Sequence, residues 1–100
     1  MLSPETPPPE PVVWALGPVL ARADTPVLCE RLATLLDAVD GVVVFDVSAV
    51  CRPDAATVDA LARLQLTARR RGRRIVITGA NPRLLLLVSL IGVDGLLPLD

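Results

Sequence analysis

Chemistry in this chain would have to come from a small set of side chains. Asp46 and Asp54 are two carboxylates that a fold could bring to one site, as general acid–base work requires. Cys29 and Cys51 are its two thiols, and Arg63, Arg69, Arg70, Arg71, Arg73 and Arg74 form a dense cationic stretch. The sequence contains no histidine, lysine or tyrosine, no Gly-rich phosphate loop and no nucleophile with an evident base beside it. The cysteines lack CxxC spacing, and no histidine completes a zinc set. Neither an enzyme nor a metal or cofactor protein is expected. Asp46 and Asp54 read more simply as a strand-end residue and a helix cap, Cys29 as packing among leucines, and Cys51 beside Arg52 as the thiol better placed to react.

The elements that would position these groups follow from punctuation and periodicity. Met1 to Pro11 hold five of the ten prolines and read as a flexible lead-in, so the folded domain is expected over residues 12–100. Val12-Val13-Trp14-Ala15-Leu16 suits a strand, and Gly17-Pro18 followed by Val19-Leu20 suggests a hairpin-like start. Thr25-Pro26 opens a helix with Leu28, Leu32, Leu35, Leu36 and Val39 at helical spacing, ended by Asp40-Gly41. The continuous run Val42 to Val47 suits a central strand covered on both faces. Asp54 caps a second helix running to Arg71 and Gly72, with Asp59 and Arg63 as an exposed i,i+4 pair. Arg74 to Thr78 is the next strand. Asn81-Pro82 opens a third helix that stops at Gly92 and is apolar around most of its circumference, which fits either deep burial or an exposed docking patch. Leu96 to Leu99 is a candidate edge strand, since its proline cannot serve a central one. Helices linking successive strands imply right-handed crossovers on a mostly parallel sheet.

A net charge of −1 carries no nucleic-acid-like bias, and no aromatics interleave with the arginines for base stacking. The arginines near a helix end read as a solvated complement to its dipole. No apolar run approaches the roughly 20 residues of a membrane span, and no secretory leader pattern is evident, so a soluble cytoplasmic protein is expected.

The element order, together with Val44-Phe45-Asp46-Val47-Ser48, Asp54 at a helix start, Arg69-Arg70-Arg71-Gly72 before Arg74-Ile75-Val76-Ile77, and Asn81-Pro82, resembles the STAS domain, named for sulfate transporters and anti-sigma-factor antagonists. The resemblance covers about residues 12–99. It implies an α/β, STAS-like fold with a mostly parallel four- to five-stranded sheet and about three main helices. The family typically carries Asp-Ser-Ser-Gly or a close variant after the central strand, and the residue directly after the Asp receives a regulatory phosphate. Here the place reads Asp54-Ala55-Ala56-Thr57. Asp54 is kept, Ala55 and Ala56 have no hydroxyl, and Thr57 stands where the family has glycine. No phosphorylation is expected at Ala55, and Thr57 is a poor substitute acceptor. The resemblance implies a bacterial protein-interaction module that works in transcription regulation as an anti-sigma-factor antagonist. It would bind a partner such as an anti-sigma-factor kinase-like protein through Asp54, Ala55, Ala56, Thr57 and Val58. Alternatives are a subunit that binds the ATPase of an ABC-type lipid-transport complex, and a small-ligand sensor with its pocket near the carboxyl end of the central strand. A homodimer is a further candidate.

Overall fold

The computed structural model describes residues 11–92. Its elements are β1 (Val12–Ala15), α1 (Thr25–Ala38), β2 (Val43–Asp46), α2 (Ala55–Arg69), β3 (Ile75–Thr78) and α3 (Pro82–Ile91), with one 3-10 turn, Arg22–Asp24, leading into α1. Apart from Pro11, the proline-rich lead-in lies outside the described residues, as does the candidate strand Leu96–Leu99.

The strands form a parallel sheet ordered β1-β2-β3, with Val12, Val43 and Ile75 in one row and Trp14, Phe45 and Ile77 two residues on. Parallel neighbours need crossover connections of one hand. Because sheet order follows chain order, α1 and α2 fall on the same face, where they pack against each other. That face carries Val43, Phe45, Ile75 and Ile77, all buried. The Trp14 and Phe45 rings meet there, with centroids 5.1 Å apart, and Arg31 lies over the outer side of the indole at 5.1 Å.

Two expectations change. The apolar run of β2 suggests burial on both faces, yet burial alternates, with Val43 and Phe45 buried and Val44 and Asp46 half-buried, since both crossover helices cover one side. No strand forms at Val19-Leu20, so β1 has no hairpin partner there. Gly17 adopts φ of +117° and, with Pro18, turns the chain away, and Val19 is exposed. A Cβ on Gly17 would meet Val50 Cγ2 at 3.1 Å, so this turn also lies tight against the loop after β2.

The helix starts differ in chemistry. Asn81 caps α3, its Oδ1 accepting from Leu84 N–H at 2.9 Å, and Gly92 ends the helix in the left-handed region as expected. Thr25 does not act as the cap of α1. The preceding 3-10 turn delivers Arg22 C=O to Thr25 N–H, so the residue enters already helical and its hydroxyl has no partner. Around α3 the expected choice between burial and exposure divides by face. Leu84 and Val88 are buried, while Leu85, Leu86, Leu90 and Ile91 are exposed, Leu90 by 73%.

Two polar side chains hold the layers together. Gln65 on α2 is 1% exposed; its Oε1 accepts from Ile75 N–H at 3.0 Å and its Nε2 donates to Ile75 C=O at 3.4 Å, so a buried amide is satisfied by strand backbone. Arg73, within the cationic stretch, does not serve its own helix. Its guanidinium donates to Leu36 C=O, Val39 C=O and Gly41 C=O at 2.9, 2.8 and 2.6 Å, closing the carboxyl end of α1. Arg71 pairs with Asp37 at 3.1 Å and Arg63 with Asp59 at 2.9 Å, both in solvent, where such pairs contribute about 0–1 kcal/mol.

Candidate functional site

The loops at the carboxyl ends of the strands converge around residues 46–57. Asp46 closes β2, and its Oδ1 accepts from Ser48 N–H at 2.9 Å. That bond, with a second from the Ser48 side chain, holds its pKa below the ordinary carboxylate range. Gly79, just after β3, has φ of +77°, and a Cβ there would stand 2.8 Å from Asp46 Oδ1 and 2.9 Å from Ser48 Cβ, so this approach requires glycine. Asn81 Nδ2 donates to Val50 C=O at 3.2 Å, tying the loop after β2 to the start of α3. The platform carrying Asp54 is therefore fastened from both sides.

Asp54 caps α2 in a reciprocal arrangement. Its Oδ1 accepts from Thr57 N–H at 3.0 Å and from Thr57 Oγ1 at 3.2 Å, while Asp54 N–H donates to Thr57 Oγ1 at 3.2 Å. This is the Ser/Thr-x-x-Glu capping box with the roles of acid and hydroxyl exchanged. Threonine at position 57, where the resembled pattern has glycine, thus serves the helix start. The expected contact residues divide accordingly. Asp54 and Ala55 are exposed and Ala56 is half-buried. Thr57 and Val58 are 2% and 1% exposed, so neither offers a surface to a partner. They point inward because the first turn of α2 must cover the end of the sheet, and the face around them reduces to Asp54, Ala55 and Ala56 beside exposed Cys51 and Arg52.

The cap hydrogen bonds with Thr57, backbone first, keep the Asp54 pKa below its ordinary value, and the charge of Arg22 acts in the same direction. Arg22 is a neighbour that local sequence spacing does not reveal. A carboxylate with a depressed folded pKa stabilises the fold above its unfolded pKa, and loses that contribution as pH falls through the folded one. Asn caps nearly as well but does not titrate. The stability deficit of Asp54→Asn is therefore expected to be largest near neutrality and to shrink below about pH 4, as urea unfolding across that range would read. A deficit independent of pH would show that the charge contributes nothing.

Asp46 and Asp54 are each engaged with their own hydroxyl residue, Ser48 and Thr57, rather than with each other. Among the described residues no three His, Cys, Asp or Glu side chains stand together as a metal site needs. Among the described residues, clefts lie between α1 and α2, beside β1 and α1, and under the loop from Leu16 to Leu20. These three are not lined by the carboxyl end of β2. No helix of the described residues is long and apolar enough to cross a membrane.

Comparison with known proteins places this geometry. A search of curated proteins finds no match. Among solved structures, the NMR structure of the protein TM1081 superposes with a TM-score of 0.75 at 12% identity, covering 90% of this chain and 73% of that one; at that identity the likeness concerns the fold. The family described as "Mlab, STAS domain" matches residues 6–98. That span takes in every described strand and helix, together with the capped Asp54 loop, and on it the chain belongs to the STAS domain family.

Proposed function

We propose that this chain is a non-enzymatic docking module that binds a partner protein through the exposed start of α2, centred on Asp54, Ala55 and Ala56. The observation that carries the reading is the capping box. It fixes Asp54 on a rigid helix start at the carboxyl end of the sheet, beside two small side chains that let a partner approach closely. A phosphate added at this helix start would introduce nearly two negative charges next to Asp54. With Ala55 and Ala56 lacking hydroxyls, and the Thr57 hydroxyl turned inward to Asp54, docking is constitutive rather than switched by phosphate.

The first partner class is an anti-sigma-factor kinase-like protein. The second is the ATPase of an ABC-type lipid-transport complex, favoured by the two missing hydroxyls, since a static contact has no need of a switch. Affinity capture with the whole chain and with Ala55→Arg tests both. Position 55 is exposed, so the variant is expected to fold normally by circular dichroism, and to lose about tenfold or more in partner recovery as a bulky charge enters the contact. A transporter ATPase recovered by the natural chain and lost with the variant would select the second class, and a kinase-like ATP-binding protein the first. Undiminished recovery by a folded Ala55→Arg protein would remove this face from the proposal.

A further inference from the structure

Among the described residues nothing pairs with the outer edge of β1, the strand at which the sheet ends. Its inner side is bonded to β2: Val12 N–H donates to Val42 C=O and Leu16 N–H to Asp46 C=O, both at 2.9 Å. Alternate residues of a strand turn their backbone groups the same way, so Trp14 also faces β2 while Val13 and Ala15 aim N–H and C=O outward. Four hydrogen-bonding groups thus line the edge of an apolar strand, a template for pairing with another strand. The same edge floors a groove whose wall is α1, with Glu30, Arg31, Thr34 and Ala38 along it. The segment before β1 is poorly suited to fill this groove. Pro4, Pro7, Pro8, Pro9 and Pro11 have no N–H to give to a hairpin leg.

We infer that a second copy of this chain fills the groove, its β1 pairing antiparallel with the first across a two-fold axis at Trp14. The register follows from the backbone. In an antiparallel pair, residues that exchange both hydrogen bonds stand directly opposite each other. With the axis at Trp14, Val13 of each copy meets Ala15 of the other, and all four groups of each edge are used. An axis at Val13 would set Ala15 against Pro11, which has no N–H, and an axis at Ala15 would set Val13 against Gly17, whose φ of +117° has left the strand. A second copy also matches the groove in both layers, which a bare peptide strand does not. α1 and α2 already pack side by side, and the axis sets α1 beside its counterpart in the same way. Thr34 and Ala38 are small enough for that approach, while Glu30 and Arg31, neither in an ion pair among the described residues, give each wall one acid and one base. Arg31 shields the outer indole face in the single chain; on pairing, its exposed side chain turns to Glu30 of the second copy, and the indole approaches its counterpart at a position where cross-strand side chains stand closest. A four-residue edge and one helix flank cover less than the roughly 800 Å² per partner of a standard interface, so the dimer is reversible, with Kd in the micromolar range. No residue of the Asp54 face lines the groove, so the inference stands apart from the docking proposal.

Sedimentation of the whole chain alone, from micromolar to near-millimolar concentration, should show a reversible monomer–dimer equilibrium. Amide exchange over the same series locates the contact. Val13 and Ala15 N–H should gain about tenfold or more in protection on dimerisation, while Trp14 N–H, already facing β2, changes little. Trp14 is the chain's only tryptophan, so an exciton-coupled indole band in circular dichroism that grows with concentration requires two copies. Ala15→Pro removes one outward donor at a sheet edge, where proline is tolerated, and Thr34→Arg sets like charges across the axis from an exposed helix position. Each is expected to weaken the dimer at least tenfold while the monomer keeps its far-UV spectrum, and the helix variant stands if the strand variant unfolds. The inference is overturned if the chain stays monomeric throughout, which would leave the edge to a foreign strand. It is overturned equally if both amides are protected in the dilute monomer, which would give the edge to the chain's own residues 1–10. A dimer that survives both variants and yields instead to Leu86→Arg and Leu90→Arg would place the contact on α3 and overturn it too.

Discussion

Val58→Arg is expected to abolish the cooperative folded state rather than to disturb a surface. Val58 is 1% exposed in the first full turn of α2, within the same buried cluster as Phe45, Leu61 and Ile77. A guanidinium there has no partner among the apolar side chains of that cluster. Overpacking alone costs about 1–3 kcal/mol, and an unpaired buried charge adds several more. That sum approaches the roughly 5–15 kcal/mol by which a domain of this size is stable. Val58→Ala, which only removes two methyl groups, is expected to stay folded at a cost of about 1–3 kcal/mol. Urea titrations followed by far-UV circular dichroism would compare the two. A Val58→Arg protein with a sharp transition and native ellipticity would show that the first turn of α2 can swing this side chain outward, and would return position 58 to the candidate docking face.

The same residue shows which parts of the molecule local pattern could reveal. Asp54 as a cap, Asn81-Pro82 as a helix start, Gly92 as a left-handed stop and the Asp59–Arg63 pair are all legible because each is decided within one turn of chain. The parallel order of strands is legible too, because helices of crossover length separate them. Position 58 is not, since a contact face and a core face one residue apart on a helix start carry the same apolar letters. The unbroken apolar run of β2 conceals an alternation imposed by two helices sharing one side of the sheet. Gln65 and Arg73 lie furthest from local pattern. In sequence, one looks like an ordinary surface glutamine and the other like one more arginine in a solvated cluster. Only the packing of α2 on β3, and of the β3 approach against the end of α1, gives them their partners. At the candidate site the legible part is Asp54, and the hidden part is that Thr57 turns inward to hold it.

Arg73→Met is therefore expected to be the costliest change in the arginine-rich stretch, despite leaving five neighbouring guanidinium groups untouched. An α-helix leaves its last carbonyls without intrahelical partners, and at the end of α1 Leu36 C=O and the following Val39 C=O both accept from Arg73 Nη1, while Gly41 C=O accepts from the other terminal nitrogen. One side chain thus fastens the end of α1, the turn after it and the approach to β3. Methionine keeps the aliphatic stem and removes every donor. Hydrogen bonds from charged donors contribute about 1.5–3 kcal/mol each, but water recovers part of the loss at a half-buried site, so the expected cost is about 2–4 kcal/mol in all. For a domain of this length that corresponds to a fall in Tm of roughly 10–20 °C. Arg73→Lys should recover less than half, because a single ammonium cannot reproduce a fork that spans three carbonyls. The control is Arg74→Met. Arg74 is exposed and makes no ion pair in the described structure, so its effect should stay within about 0.5 kcal/mol. Differential scanning calorimetry of the three variants would settle the comparison. Equal, small effects at positions 73 and 74 would mean that the carbonyls at the end of α1 are served as well by water as by Arg73, and that the stretch is, after all, a solvated patch.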